Sequence, residues 1–242
     1  MPQPLITAHA ACRGHAPENT LAGIRAALRL GADAIEVDVR CTRDGVPVLL
    51  HDGTVDRTTS GEGRITALSL RQARRLRLRS GKGFAGRGER IPTLREALGA
   101  VAGRALLVLE IKPAGIEETV LAVVRSASGG LDWCAVHSFR PRVVQRVRKL
   151  EPRLPCSLLT SGQDVVDWGE LFASALSLGA QGVAVHHVVV TPELVRAAHL
   201  RELQFSTWTV NTRDDVRRVA ACGVDAITSD YPDRVRRWLP RR

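Results

Sequence analysis

Short apolar runs separated by amphipathic stretches recur from one end of this chain to the other, and that alternation restricts the fold more than any other feature. The runs LITAH, AIEVDV, VPVLLH, ALLVLEI, WCAVHSF, PCSLLT, GVAVHH, FSTWTV and DAITSD have the length and apolar content of strands. Helical patterns lie between most of them. TLAGIRAALRLG puts Leu21, Ile24, Ala27 and Leu28 on one face and stops at Gly31. TLREALGAV follows Ile91-Pro92, with Thr93 placed to cap it and Glu96 three residues on. TPELVRAAHL repeats the pattern, with Thr191 as cap and Pro192 at the first helical position. Strands alternating with helices over 242 residues predict an α/β fold, a (β/α)8 TIM barrel.

Nine runs are one too many for eight staves. The segment AIEVDVRCTRDGVPVLLH accounts for the surplus, because its two strands are joined by TRDG, whose Asp44-Gly45 is a hairpin signal. A parallel crossover needs about a dozen residues or more, so one of these strands is a small hairpin excursion. No break in composition marks a boundary, and residues 1–242 read as one domain with a short insertion at about 52–92. The Gly-rich stretch from Ser80 to Arg90 reads as a mobile loop. No strand runs into it and no helix follows at once, so it is weak as a phosphate cradle.

Hydrophobic residues make up 44% and charged residues 25%, the balance of a soluble globular protein. No apolar run approaches the roughly 20 residues of a membrane span. The start MPQPLITAHA lacks a basic segment followed by an apolar one, so a cytoplasmic location is the expectation. The net charge of +10 would attract phosphate-bearing substrates or anionic lipid. The arginines are scattered rather than clustered and aromatics are only 4%, which argues against a nucleic-acid partner. Five cysteines without a CxxC pair exclude zinc-site spacing and suit reduced thiols, with Cys134, Cys156 and Cys222 as core residues.

In a TIM barrel the chemistry sits at the C-terminal ends of the strands. Here those ends carry His9, Glu36, Asp38, His51, Asp52, Glu110, Lys112, His137, His186 and Asp230. Parallel barrel strands are expected to be apolar on both faces, and Glu36 and Glu110 interrupt that pattern. Glu36 and Asp38 are two apart and point to the same side, as do Glu110 and Lys112. Three carboxylates converging at one mouth suit a hard divalent ion, Mg2+ or Ca2+. His9 and His51 at neighbouring ends suggest paired acid–base work. His137, His186 and His187 read as structural, and His199 as a surface residue on a helix.

At this point the chain resembles a known family. The segment APENTLAGIRAALRLGADAIEVDVRCTRDGVPVLLHDGTVDRTTSGEG is similar to the glycerophosphodiester phosphodiesterases, and RIPTLREAL, LVLEIKP, VHSF, STWTVN and DAITSDYP follow in the family's order. The resemblance covers nearly the whole chain. It implies a barrel of the phospholipase-C-like phosphodiesterase type and metal-dependent hydrolysis of a glycerophosphodiester to glycerol 3-phosphate and an alcohol. It implies one divalent cation held by Glu36, Asp38 and Glu110, and His51 as acid or base. Lys112 would face the phosphate, Trp208 would line the pocket, and Glu18 and Asn19 would sit in support at the mouth, Glu18 near the metal or its ligands.

One element departs from the family. Where His-Arg-Gly is usual, this chain reads AHAACRGHAPENT. In one register His9 is the catalytic histidine, Ala10 and Ala11 replace the arginine and glycine, and Arg13 reaches the phosphate from the loop. In the other, Arg13-Gly14 match the dipeptide and Cys12 replaces the histidine. The first is preferred, because LITAH is a good strand ending in His9 and a thiol is a poor proton shuttle near neutral pH. His15 would only pack or cap. The alternatives are a lysophospholipase D-type activity with peripheral contact to anionic lipid, and a degenerate barrel that binds phosphate or phospholipid without turnover.

Overall fold

The computed structural model describes residues 3–79 and 89–239. All nine apolar runs form strands: β1 (Leu5–Ala8), β2 (Ala34–Cys41), β3 (Pro47–Leu49), β4 (Leu106–Ile111), β5 (Cys134–Ser138), β6 (Cys156–Thr160), β7 (Gly182–His186), β8 (Gln204–Trp208) and β9 (Ala226–Ser229). Between and after them run α1 (Leu21–Arg29), α2 (Leu70–Ala73), α3 (Leu94–Val101), α4 (Glu117–Arg125), α5 (Pro141–Leu150), α6 (Trp168–Ser177), α7 (Pro192–His199), α8 (Arg213–Ala221) and α9 (Pro232–Trp238). The parallel strands follow the order β1-β9-β8-β7-β6-β5-β4-β2, and β1 pairs back onto β2 with Thr7 opposite Ala34, which closes the barrel. The surplus strand is β3. It lies antiparallel on the outer part of β2, with Val39 opposite Leu49 and Cys41 opposite Pro47. Gly45, at φ +75°, makes the turn between them.

The helix starts follow from side chains written at those positions. Thr93 Oγ1 accepts from Glu96 N at 3.2 Å, while Glu96 Oε2 accepts from Thr93 N at 2.8 Å, a reciprocal capping box for α3. Thr191 caps α7 by accepting from Leu194 N at 3.2 Å. Thr20 caps α1 in the same way, accepting from Gly23 N at 3.0 Å.

The expectation of strands apolar on both faces is not met. The main core lies between the barrel wall and the helices, where Ile35, Val37, Leu107, Leu109, Val136, Val183 and Phe205 pack on Ile24, Leu98, Leu121, Val144 and Phe172. The alternate positions Glu36, Glu110, His137, Leu159, Ala184, Trp208 and Thr228 face an open cavity inside the barrel. A wetted cavity needs polar or small side chains, so each strand is apolar outward and mixed inward. Burial of the outward stripe drives the fold, and the inward stripe is left free for chemistry.

A second, smaller apolar cluster lies outside the barrel. Val48, Leu50, Val55, Ile65, Ala73 and Ile91 pack together beneath the segment that follows β3. Cys134 and Cys156 are buried, and burial pushes both thiols up to about 12, while Cys222 is half-buried against the main core. The Gly-rich stretch read as a mobile loop lies, at 80–88, outside the described residues. Among the described residues no helix is long and apolar enough to cross a membrane.

Candidate active site

The cavity opens at the C-terminal ends of the strands and has a volume of about 220 Å3. Its lining includes His9, Glu36, His51, Glu110, Lys112 and Trp208. Glu36 and Asp38 come from β2 and Glu110 from β4, and an oxygen of each lies within 4.8 Å of the others. Asp38 Oδ2 accepts from Asn19 Nδ2 at 2.7 Å, and Asp38 N donates to Asn19 Oδ1 at 2.9 Å. Asn19 itself sits at φ +56°, a left-handed conformation that asparagine tolerates. Lys112 Nζ bridges Asp38 Oδ1 at 2.8 Å and Glu110 Oε1 at 2.6 Å.

Glu36 is the least satisfied member. Its Oε2 accepts from Ala10 N at 2.7 Å, but its Oε1 is buried and has no hydrogen-bond partner among the described residues. Burial, with Asp38 close by, pushes the Glu36 carboxyl up to about 8. Burial also raises Glu110, against the pull of Lys112. Asp38 stays low despite its burial, because Lys112 and Asn19 favour its charge. Three carboxylates balanced by one ammonium leave two negative charges in formal count, and a buried anionic oxygen without a donor lacks its counter-charge. This oxygen-only donor set fits a hard divalent cation.

The two histidines are each held at Nδ1 by a carboxylate. His9 follows β1 and meets Asp230 Oδ1 at 2.7 Å. Asp230 Oδ2 accepts from Asn211 Nδ2 at 2.9 Å, and Asn211 Oδ1 accepts in turn from Asp230 N and from the Ser229 hydroxyl. Burial opposes charge on His9, but Asp230, Glu36 and Asp38 outweigh it and raise the imidazole above its ordinary value. His51 follows β3 and meets Asp52 Oδ1 at 2.8 Å. Arg57 holds Asp52 Oδ2 at 2.6 Å and grips both oxygens of Glu18, at 2.6 and 3.0 Å. The Arg57 hydrogen bond, opposed by partial burial, sets the Asp52 carboxyl down at about 2. Glu18 therefore braces His51 through Arg57 and Asp52.

The turn after β1 brings His9 into the cavity and turns Cys12 away. Cys12 is fully buried, and burial pushes its thiol up to about 12. Ala10, Ala11 and Cys12 run at φ +43°, +55° and +72°, three successive left-handed residues. The bend aims Ala10 N at Glu36 and lets Ala10 O accept from Asn19 N at 2.8 Å, so it ties β1 to two site residues. Arg13 does not line the cavity. Its Nε lies 3.3 Å from the Asp230 oxygen that holds His9, and its side chain is 47% exposed. Trp208 Nε1 donates to Ala184 O at 3.1 Å, and its ring stands edge-on to Phe139 and His186.

The remaining histidines divide. His15 Nε2 lies 2.7 Å from Asp233, outside the cavity, and His199 pairs with Asp225 at 2.9 Å. His187 faces Asp215 and Arg218. His137, read from the sequence as structural, lines the cavity instead, and burial lowers it to about 4, so its ring is neutral near pH 7. Sequence reading had also noted Asp52 and Asp230 at strand ends without assigning them partners, and it gave Asn211 and Arg57 no role. The signals were carboxylates beside, or at the strand end opposite, a candidate histidine. Arg57 sits in irregular chain and carried none.

Residues 9–234 match the model of the glycerophosphoryl diester phosphodiesterase family. A glycerophosphodiester phosphodiesterase of Caldanaerobacter subterraneus subsp. tengcongensis is 35% identical over 95% of this chain and 95% of its own length. Glycerophosphodiester phosphodiesterase 1 of Mus musculus is 31% identical over 86% of this chain and 72% of its own. The structure of an Oleispira antarctica phosphodiesterase in complex with the product sn-glycerol-3-phosphate superposes with a TM-score of 0.87 at 29% identity, covering 98% of this chain and 96% of that one. A TIM barrel with its acidic cluster and carboxylate-held histidines at the strand ends, matched along nearly its whole length, belongs to the glycerophosphoryl diester phosphodiesterase family.

Proposed function

We propose that this chain hydrolyses glycerophosphodiesters to glycerol 3-phosphate and an alcohol, with His9 and His51 as its acid–base pair and Glu36, Asp38 and Glu110 as ligands of one divalent cation, Mg2+ or Ca2+. One observation carries the reading: three clustered carboxylates, one with a buried unpartnered oxygen, share a mouth with two carboxylate-held histidines. The product complex of the Oleispira relative supports the choice of product. When bound, the cation neutralises charge on the phosphoryl group and holds its oxygens in position.

The proton transfers belong to the chain. With Nδ1 of both rings engaged, Nε2 is the working nitrogen of each. One Nε2 takes the proton of the glycerol hydroxyl beside the ester as that oxygen bonds to phosphorus. The other gives its proton to the departing alkoxide as the phosphorus–oxygen bond breaks. The cyclic phosphate so formed is opened by water with the two roles reversed. Lys112 brings the one ammonium lining the cavity among the described residues, placed to meet phosphoryl oxygen. Arg13, beside Asp230, adds positive charge around His9.

Glycerol 3-phosphate release from glycerophosphocholine tests this. It is expected with Mg2+ or Ca2+, abolished by EDTA, lost in His9→Ala and kept in Cys12→Ala. Turnover that survives EDTA would remove the cation, turnover that survives His9→Ala would remove the acid–base pair, and none with either metal would remove the substrate. A second reading puts the same chemistry on lysophospholipids at an anionic membrane. Phe139, 45% exposed at the mouth beside Trp208, favours it, as does the net charge of +10.

A further inference from the structure

His137 is alone among the seven histidines in having no hydrogen-bond or ion-pair partner among the described residues. His9, His15, His51, His187 and His199 each face a carboxylate, and His186 accepts from Val188 N. The ring nitrogens of His137 are not among the buried polar atoms left without a partner, so they open to the cavity and bond whatever fills it. His137 lines the cavity, so what satisfies it comes from the cavity.

Its position says which part of a ligand that is. Asp38 on β2 is in register with Glu110 on β4, and Glu110 is in register with His137 on β5. The three lie along one rung, with neighbouring strands about 4.8 Å apart. His137 therefore stands one strand beyond the acidic cluster, on the side away from His9 and His51. A glycerol unit with its ester oxygen and adjacent hydroxyl between the cluster and the two histidines has its third carbon left to place. The rung leads that carbon past Glu110 to His137. The alcohol half of the substrate must leave, and it faces the mouth at His51 and Phe139, both exposed. Beyond Glu110 the lining also offers the apolar Leu159 and Ala184 and the Thr228 hydroxyl.

We propose that His137 reads the free terminal hydroxyl of the glycerol unit and so restricts the site to deacylated glycerophosphodiesters. This rests on the hydrolase reading above and narrows it. A neutral imidazole offers one donor and one acceptor, the complement of a hydroxyl. An ester at that oxygen removes the hydroxyl's proton, so a lysophospholipid acylated there lacks the group that His137 reads. A site built to bond a hydroxyl discriminates strongly against the analogue without it, because its own polar group is then left unpaired.

The test compares glycerol 3-phosphate with propane-1,2-diol 1-phosphate, which keeps the adjacent hydroxyl and lacks the terminal one. Affinities are measured by calorimetry with Mg2+ present, and turnover is measured on the choline diesters of both and on lysophosphatidylcholine. The wild type is expected to prefer the glycerol compound at least about tenfold in both readouts and to leave lysophosphatidylcholine uncleaved. His137→Leu should erase the preference by weakening glycerol binding alone, and His137→Gln, with a donor and an acceptor, should keep most of it. Equal wild-type affinity for the two phosphates overturns the proposal. So does an equal loss on both in His137→Leu, which would make the residue a support for Glu110, and so does cleavage of lysophosphatidylcholine at a comparable rate. Selective binding without turnover of any diester would leave His137 as the reader and remove the hydrolase reading. Turnover without selectivity would do the reverse.

Discussion

Two sides of the same mouth hold their histidines in opposite ways. His9 and Asp230 are 22% and 12% exposed, and the carboxylate is fixed by Asn211, which the Ser229 hydroxyl holds in turn. His51 and Asp52 are 47% and 31% exposed, and the brace runs through Arg57 to Glu18 in irregular chain outside the barrel. The contacts at Nδ1 are nearly the same length, 2.7 and 2.8 Å. Hydrogen-bond length alone therefore does not say how firmly a group is held. Depth does, because a buried pair is little screened and an exposed one is screened by water and salt.

The largest expected effect treats the two sides as equals. His9→Ala and His51→Ala should each cut kcat by about 10²- to 10⁴-fold, the usual yield of a positioned acid or base. A drop confined to one of them in steady-state turnover would break the pairing. The next separates them. Asp230→Asn should cost on the order of 10²-fold and Asp52→Asn about tenfold, since the buried carboxylate is the harder to replace with water. Asp230→Asn should also move one limb of the pH–rate profile to lower pH, because it removes the leading favourable influence on charged His9. The sign carries over to stability. The raised His9 pKa means the His9–Asp230 pair contributes fully below pH 6.5, and that contribution is lost as pH rises through the raised value. Melting curves of wild type and Asp230→Asn should converge at alkaline pH.

Smaller effects sharpen the contrast in screening. Raising NaCl from about 0.05 to 0.5 M should slow the wild type a few-fold, and Arg57→Ala should reproduce that loss and remove the salt dependence. Asn211→Ala should be salt-insensitive. Smallest are the two residues of the competing register. Cys12→Ala should leave kcat within about twofold and cost roughly 1 kcal/mol of stability for a small buried side chain. Arg13→Ala should also stay within about twofold, with the His9 limb moving slightly upward as a nearby cation leaves Asp230.

Much of this was legible because it is local. The nine strands, the surplus hairpin at Asp44-Gly45 and the caps at Thr93 and Thr191 each depend on neighbours within a few residues. The Glu36 and Asp38 pair followed from strand alternation, and Glu110 joined it through a strand end of the same kind. What was not legible depends on closure. Asp230 meets His9 across 221 positions of sequence, brought there when β9 pairs with β1. His137 looked like any strand-end histidine, since lack of a partner is visible only once every neighbour is in place. The left-handed run at Ala10, Ala11 and Cys12 carries no glycine to announce it. Its cost is borne by the tertiary fold, and α1 packs so close that a Cβ on Gly23 would lie 1.9 Å from Ala11 O.

The excursion after β2 has a consequence for how the molecule fails. His51 is carried by a segment with a core of its own, Val48, Leu50, Val55, Ile65, Ala73 and Ile91, joined to the barrel by the β2–β3 ladder, by Leu50 N donating to Asp38 O, by the Arg40 guanidinium donating to His51 O and by Leu49 N donating to Pro92 O. A cluster this size, even with Leu68, Leu70, Leu76 and Leu78 packed on it, is expected to open at a lower free energy than the closed barrel. On heating, turnover should then fall before the barrel melts and return on cooling, so the temperature that stops the reaction would measure the grip of the hairpin and not the durability of the barrel.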